Sequence, residues 1–211
     1  MKKWLSTGLL IAGLGLFGHG VYMQAKAWLA QVLIEQAWQE ALKSPSAKVK
    51  PWFYADNFVT AQLNWPKHNK TLTVLAGASG RNLAFAPSQF LPAGELGGKA
   101  HGNPKGALIA GHNDTHFAFL QHAKVGEMFT LQLQSAEIQV YKVTGIEVIH
   151  QSQHEFLQKS GLYLLTCYPF DSLAAGTDLR LLVSAELMPD KVVSALISSP
   201  DSLSGISTTS S

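Results

Sequence analysis

Charged side chains are scarce in this chain of 211 residues: Asp, Glu, Lys and Arg make up 14% of it, whereas typical soluble domains have about 25%. Hydrophobic residues make up 46%, which excludes a disordered chain, since disorder goes with high charge and low hydrophobicity. The net charge is only +2, and no basic run is longer than Lys2-Lys3. The sequence lacks the basic patch that nucleic-acid binding requires, so we predict no nucleic-acid partner.

Cysteine is just as scarce, because Cys167 is the only one. It has no partner for an internal disulfide, and the absence of a CxxC motif excludes structural zinc of the multi-cysteine kind. The HExxH motif of zinc metalloproteases and the GxSxG motif of α/β-hydrolases are also missing. Residues 94–100 resemble a phosphate-binding loop only superficially, since Ala100 stands where such a loop needs Ser or Thr.

An uncharged run from residue 4 to residue 23 follows the two N-terminal lysines. About 20 such residues are enough to cross the hydrocarbon core of a bilayer as a helix. Two lysines before the run and only Lys26 soon after it predict a cytoplasmic N-terminus, with everything after residue 24 on the other side. A cleaved signal peptide is the alternative, because Ala25-Lys26-Ala27 has the small-x-small pattern of a cleavage site. The length of the run favours the anchor.

Composition divides the chain into four segments. Residues 1–24 are the predicted cytoplasmic start and membrane anchor, and residues 25–51 are a predicted amphipathic stalk helix with a linker. Residues 52–190 form the predicted globular domain. Residues 191–211 are rich in Ser and Thr, which predicts a disordered tail.

Short β-type runs, broken by clusters of Gly, Pro and Asn, dominate the globular domain. The alternation of apolar and polar residues is clearest in residues 129–134 and 138–143, as is typical of half-buried antiparallel strands. The predicted strands are residues 59–64, 71–76, 107–111, 127–133, 138–148, 162–166 and 179–185, and short helices are predicted over 117–123 and 152–158. Six to eight short strands in about 130 residues fit a small barrel or a sandwich.

Cys167 lies at the end of a predicted strand, just before Tyr168-Pro169. A barrel presents side chains to a ligand at such a strand end. Because the thiolate is the nucleophile, a reactive cysteine needs a basic or cationic neighbour. Simple packing in the core is the alternative for Cys167, although oxidation outside the cytoplasm acts against an idle exposed thiol.

Among eight histidines, His112 is the most suggestive, because it follows the predicted strand 107–111 and opens a turn-like segment. His116 comes one helical turn later. A zinc site made of these two histidines and Cys167 is therefore an alternative to a nucleophilic cysteine. The other histidines of the domain, among them His68, are predicted to lie on the surface or in loops.

Arg180 begins the last predicted strand. If that strand pairs antiparallel with residues 162–167 through a turn at residues 173–174, residue 167 lies opposite residue 180. A permanent cation beside the thiol is able to stabilise an oxyanion or to bind a substrate carbonyl. Asp178 is expected to neutralise part of that positive charge.

Two segments carry a family resemblance: residues 111–117 read GHNDTHF and residues 166–171 read TCYPFD. Together with Arg180, and behind an N-terminal anchor, they resemble the sortases, and most closely the class GN sortases of Gram-negative, largely marine, proteobacteria. Residues 163–167 (YLLTC) resemble the family's TLxTC strand motif, with Tyr163 in place of the first Thr. Asn113 departs from the Arg that relatives often have at that position.

The resemblance implies a closed eight-stranded β-barrel with short helices, and the activity of a cysteine transpeptidase that cleaves a C-terminal sorting signal of LPXTG type. It implies that Cys167 forms a thioacyl intermediate, that His112 acts as general acid and base, and that Arg180 binds the substrate and the oxyanion. The residues expected to line the substrate groove are Thr166, His116, Asp114 and Tyr168.

The same resemblance implies two partners, a protein with a C-terminal LPXTG-like sorting signal and an amine acceptor, and it implies neither a cofactor nor a metal. With the predicted anchor, it places the chain in the inner membrane as a single-pass protein with a periplasmic catalytic domain. Two alternatives stay open: a tethered, non-enzymatic β-domain that binds a partner protein, and a different extracytoplasmic cysteine peptidase. An L,D-type transpeptidase is disfavoured because its SHGC-x-R signature is missing.

Overall fold

The computed structural model describes residues 2–44, 47–94, 96, 106–171 and 176–189. In these residues, eight strands form a closed barrel in the order β1-β2-β3-β4-β7-β8-β6-β5. The strands are β1 (Val59–Trp65), β2 (Lys70–Ala76), β3 (Ser88–Gln89), β4 (Ala107–Ala110), β5 (Met128–Leu133), β6 (Ile138–His150), β7 (Leu162–Tyr168) and β8 (Leu179–Leu187). The predicted closed eight-stranded barrel is confirmed. The predicted tail of residues 191–211 lies outside the described residues.

Two parallel pairs distinguish this barrel from a simple meander: β2 pairs parallel with β3, and β4 pairs parallel with β7. The remaining neighbours are antiparallel, and β5 closes the barrel by pairing with β1. Strand β3 has only two residues. It is not among the predicted strands, because two residues are too short to carry an alternating pattern.

The barrel interior is apolar and largely aromatic. Strand β1 alternates strictly between buried and half-buried residues, as expected of a strand with one face inside. Trp65 at its end is fully buried and stacks on Phe129, with ring centroids 4.7 Å apart. Burying a large apolar side chain contributes about 1.5–3 kcal/mol, so this filled interior stabilises the closed barrel.

A single helix, α1 (Lys2–Lys43), contains both the predicted anchor and the predicted stalk. All its side chains described between Trp4 and Leu29 are exposed, whereas Ile34 and Trp38 are buried. It is the one described helix that is long and apolar enough, by length and composition alone, to cross a membrane.

The second half of α1 packs on the barrel. Ile34 and Trp38 belong to an apolar cluster with Val59 of β1. The Glu35 carboxylate accepts hydrogen bonds from Gln62 of β1 at 3.1 Å and from Thr73 of β2 at 3.3 Å. The stalk half of the helix is therefore part of the domain and ties it to the uncharged first half.

A buried carboxylate, Glu127, lies beyond the end of β1. Its oxygens contact the Lys67 ammonium at 2.9 Å and the His68 ring at 2.8 Å. His68, predicted to lie on the surface or in a loop, lies in the short turn between β1 and β2, and its side chain there is only 11% exposed. Burial by itself raises the pKa of Glu127, but the hydrogen bonds from Lys67 and His68 outweigh it and hold that pKa below its ordinary value.

Replacing Glu127 by glutamine is expected to lower the free energy of unfolding by about 1–3 kcal/mol at pH 7. Because the folded state lowers the pKa of Glu127, its contribution is complete above the ordinary value of 4.5 and is lost as the pH falls through the lowered pKa. The difference between the variant and the wild type should therefore shrink below pH 4.5. Unfolding of the full chain in detergent, followed at pH 7 and at pH 3, measures it.

The matched control is Asp56→Asn, which removes the pair with Arg81. Both side chains are exposed, at 58% and 76%, so this substitution should change the unfolding free energy by less than about 0.5 kcal/mol. Equal effects of the two substitutions, or a Glu127→Gln effect independent of pH, would contradict the interpretation.

Candidate active site

Cys167 lies on the outer face of the barrel wall. Leu162 and Leu164 of β7 face the interior core, whereas Tyr163 belongs to a separate apolar cluster on the outside. Because side chains alternate along a strand, Cys167 shares the outer face with Tyr163 and Leu165. Its thiol is partly exposed and forms no disulfide, so Cys167 is not a buried packing residue.

A second apolar cluster lies on the outer face of the sheet, the face that also carries Cys167. Its buried members are Leu108, Ile149, Tyr163 and Leu182, which come from β4, β6, β7 and β8. Phe156 and Leu157, in the connection between β6 and β7, pack against it from outside, and so does Leu165, two residues before Cys167. The outer face beside the thiol is therefore apolar, and the connection between β6 and β7 covers part of it.

Arg180 lies directly opposite Cys167, since the two residues are paired in the antiparallel register of β7 and β8. This confirms the predicted register, although the turn at residues 173–174 lies outside the described residues. Arg180 lies on the same face of β8 as Leu182, a member of the outer apolar cluster. The guanidinium and the thiol are thus on the same side of the sheet, one strand apart.

The Arg180 guanidinium is held by hydrogen bonds. It donates to the backbone carbonyls of Thr177 and Leu179, and to the Oε1 atom of Gln151 at 2.9 Å. The Gln151 amide donates in turn to the Asp178 carboxylate at 2.6 Å. Among the described contacts, Asp178 therefore reaches Arg180 through Gln151 rather than by a direct ion pair.

His112 is placed by the parallel pair β4–β7. In that register Ala110 lies beside Leu165, and the Gly111 amide still donates to the Leu165 carbonyl, at 3.1 Å. His112 lies in the loop two residues after β4, at the end of the barrel where Cys167 and Arg180 are paired. The three residues singled out in the sequence thus come from β7, β8 and the loop after β4, at the same end of the barrel.

Thr166 fixes this arrangement from the interior side. Its side chain is 2% exposed, and its hydroxyl donates to the Gly111 carbonyl at 2.7 Å. A Cβ atom at Gly111 would lie 2.8 Å from the ring of the fully buried Phe117, so only glycine lets that ring close under the His112 loop. Because the Thr166 side chain faces the interior, it is not placed to contact a substrate on the outer face of the barrel.

His116 and Asp114 lie in the loop that follows His112. Burial, and after it the charge of His112, lowers the pKa of His116, while Asp114 acts in the opposite direction. His116 is half-buried and Asp114 is exposed. Both therefore lie near His112 and remain candidates for contact with a substrate.

A hydrogen bond from Asn113 joins the two loops beside the thiol. The Asn113 amide donates to the Pro169 carbonyl at 3.1 Å, which links the His112 loop to the segment after Cys167. Tyr168 is half-buried and packs on the interior core. Asn113 and Gln151 are contacts that sequence reasoning did not assign, and the only signal was the departure of Asn113 from the family motif.

The zinc alternative finds no support in the described part of the chain. No group of three or more His, Cys, Asp or Glu side chains in those residues is arranged to hold a metal ion. The candidate site instead has a thiol and a guanidinium on neighbouring strands and an imidazole in the loop after β4, and these groups suit acyl transfer through a cysteine.

Comparisons with known proteins point to one family. A family model described as Sortase domain matches residues 63–188. Among solved structures, sortase A from Corynebacterium diphtheriae is similar over 76% of this chain and 84% of its own, with 20% identity and a TM-score of 0.55. Sortase C1 from Streptococcus suis matches over 62% and 73%, with 24% identity and a TM-score of 0.54.

Clostridium perfringens sortase C, solved with the C-terminal cell wall sorting motif, matches over 78% of this chain and 90% of its own, with 19% identity and a TM-score of 0.55. At these identities the structures establish the fold alone. None of the curated protein sequences compared with the chain matches it. The family model covers more than half of the chain, which therefore belongs to the sortase family. Membership of this family supports a cysteine transpeptidase.

Proposed function

We propose that this chain is a single-pass inner-membrane sortase of class GN, which cleaves an LPXTG-like C-terminal sorting signal and transfers the product to an amine. The observation that carries the proposal is the pairing of Cys167 with Arg180 on the outer face of the barrel, beside an apolar cluster. The class is supported by residues 111–117 and 166–171, whose sequences resemble those of that subgroup.

Cys167 is the proposed nucleophile. Its thiolate attacks the carbonyl carbon of the Thr–Gly bond, and the carbonyl oxygen becomes an oxyanion beside the Arg180 guanidinium. The C–N bond then breaks, and His112 gives its proton to the departing amine. A thioester between Cys167 and the threonine carbonyl remains.

The acceptor amine resolves that thioester. His112 takes a proton from the attacking amine, and the Cys167 thiolate leaves as the new amide forms. Water in place of the amine gives hydrolysis. The apolar side chains beside the thiol, among them the half-buried Leu165, suit the leucine and proline of such a signal, because these side chains gain from burial.

A membrane anchor suits this chemistry. A substrate with a C-terminal membrane tail presents its signal just outside the bilayer, and an enzyme tethered to the same bilayer meets it at high local concentration. The uncharged run of residues 4–23 in α1 supports the anchor, and the lysines before it support a cytoplasmic N-terminus with a periplasmic domain.

A peptide containing Leu-Pro-X-Thr-Gly, incubated with the full chain and hydroxylamine, tests the proposed reaction. We expect cleavage after threonine, a threonine hydroxamate as product, and a mass adduct on Cys167 when hydroxylamine is omitted and the reaction is quenched early. Mass spectrometry reads all three. The control peptide has the same composition with Thr and Gly exchanged. Cleavage of both peptides, or of neither, would count against the proposed specificity.

A further inference from the structure

The loop before β1 carries two large aromatic rings that belong neither to the barrel core nor to the outer apolar cluster. Phe53 is 92% exposed and Tyr54 is 69% exposed. Their rings pack edge to face, with centroids 4.9 Å apart. Scattered exposed apolar residues are common, but adjacent rings that are bare to this extent mark a contact surface.

This loop lies beside the point where α1 leaves its uncharged run. Tyr54 lines a cleft of about 460 Å³ together with Lys26 and Leu29 of α1. At a rise of 1.5 Å per residue, Lys26 and Leu29 lie about 5 and 9 Å beyond residue 23, where the uncharged run ends. The headgroup region on each side of a bilayer is about 5–8 Å thick. If residues 4–23 span the hydrocarbon, the loop lies at the level of the headgroups.

The loop is fixed to the domain and not only to the helix. Trp52 packs edge to face on Phe85, with centroids 5.2 Å apart, and Ala55 is buried. Asp56 binds Arg81 at 3.0 Å. A force on the two exposed rings is therefore transmitted to the barrel.

The chemistry of the surroundings fits a bilayer surface better than a protein partner. Tyr and Trp side chains favour the membrane interface, where an apolar ring and a polar edge are both satisfied. Trp28 of α1 is 69% exposed. Lys26 supplies positive charge at the same level, which anionic headgroups attract.

We propose that Phe53 and Tyr54 insert into the lipid headgroup region as a second membrane contact of this protein, beside its helix. This inference rests on the membrane placement in the proposed function, and goes beyond it. A single helix leaves the domain free to rotate and tilt. A second contact, fixed to the barrel, sets the orientation of the candidate active site relative to the bilayer.

Photocrosslinking of the full chain in liposomes of phosphatidylcholine and phosphatidylglycerol tests this inference. A benzophenone amino acid replaces Phe53, Phe17 or Val125 in turn. Phe17 lies in the uncharged run and is 72% exposed. Val125 is 62% exposed but lies close to Glu127, beyond the far end of β1 from the loop. We expect lipid adducts at positions 17 and 53, detected by peptide mass, and none above background at position 125.

Adducts at position 17 without adducts at position 53 would overturn the second contact and leave the membrane helix in place. No adduct at position 17 would overturn the membrane placement itself and, with it, the ground for the inference. Equal adducts at positions 53 and 125 would mean unspecific contact, and adducts of position 53 to a second protein chain would mean a protein interface. Both of these outcomes would overturn the proposal.

Discussion

Replacement of Cys167 by alanine is expected to lower the rate of peptide cleavage by about 10³-fold or more, because removal of a nucleophile from a cooperating catalytic group costs at least that much. The activity of Cys167→Ser should be nearly as low, since a serine hydroxyl is a much weaker acid than a thiol and stays protonated. A fluorogenic sorting-signal peptide measures kcat/KM. The thermal midpoint of unfolding should hardly change, because the thiol is partly exposed.

The lone thiol provides an internal control. Iodoacetamide should alkylate the folded wild-type chain at one position, Cys167, and abolish cleavage in proportion to the modified fraction. A thiol that resists alkylation in the folded chain, together with cleavage at background level by both the wild type and Cys167→Ala, would refute the enzyme and leave a tethered binding domain. Activity that persists with a modified thiol would refute the nucleophile alone.

Arg180→Ala is the second substitution with a large expected effect. Removing a cation that stabilises the oxyanion should lower kcat/KM by about 10²–10³-fold. Arg180→Lys should retain more of the wild-type kcat/KM than Arg180→Ala, but not all of it. A lysine keeps the charge but lacks the planar guanidinium that donates to several carbonyls at once. Peptide cleavage at several substrate concentrations separates kcat from KM.

The matched control is Arg81→Ala, which removes an exposed arginine that lies outside the strands of the candidate site and should leave kcat/KM unchanged. The kcat/KM of Gln151→Ala should lie between those of Arg180→Ala and Arg81→Ala, because Gln151 orients the Arg180 guanidinium through its hydrogen bond of 2.9 Å. We expect the fall in kcat to be larger than any rise in KM. If Arg180→Ala behaves like Arg81→Ala, Arg180 has no part in the reaction.

The strands were predictable where one face of the sheet meets the core. β5 and β6 alternate between buried and less buried residues, and the sequence shows the same alternation of apolar and polar side chains. β3 was not predictable, because Ser88 and Gln89 are polar and yet buried. Their burial comes from the strands on either side, which no local pattern records.

The active-site geometry was predictable only in part. The pairing of residues 167 and 180 follows from simple hairpin arithmetic, because the two strands are close in sequence and antiparallel. The neighbouring position of His112 needs the parallel pair β4–β7, which joins segments 55 residues apart. The contact between Glu127 and His68 spans 59 residues, so the sequence offered no sign that His68 is half-buried.

By itself, the sequence determined which chemistry is available: one thiol, a motif histidine, an arginine in an apolar strand and an uncharged run long enough to cross a bilayer. These are properties of residue type and local spacing. The tertiary structure decided which groups meet, that Thr166 faces inward, that Gln151 holds the guanidinium, and that an aromatic loop lies beside the helix. Those outcomes depend on closing a barrel through two parallel pairs, and the contacts made on closure join segments too distant in the chain for any local pattern to encode.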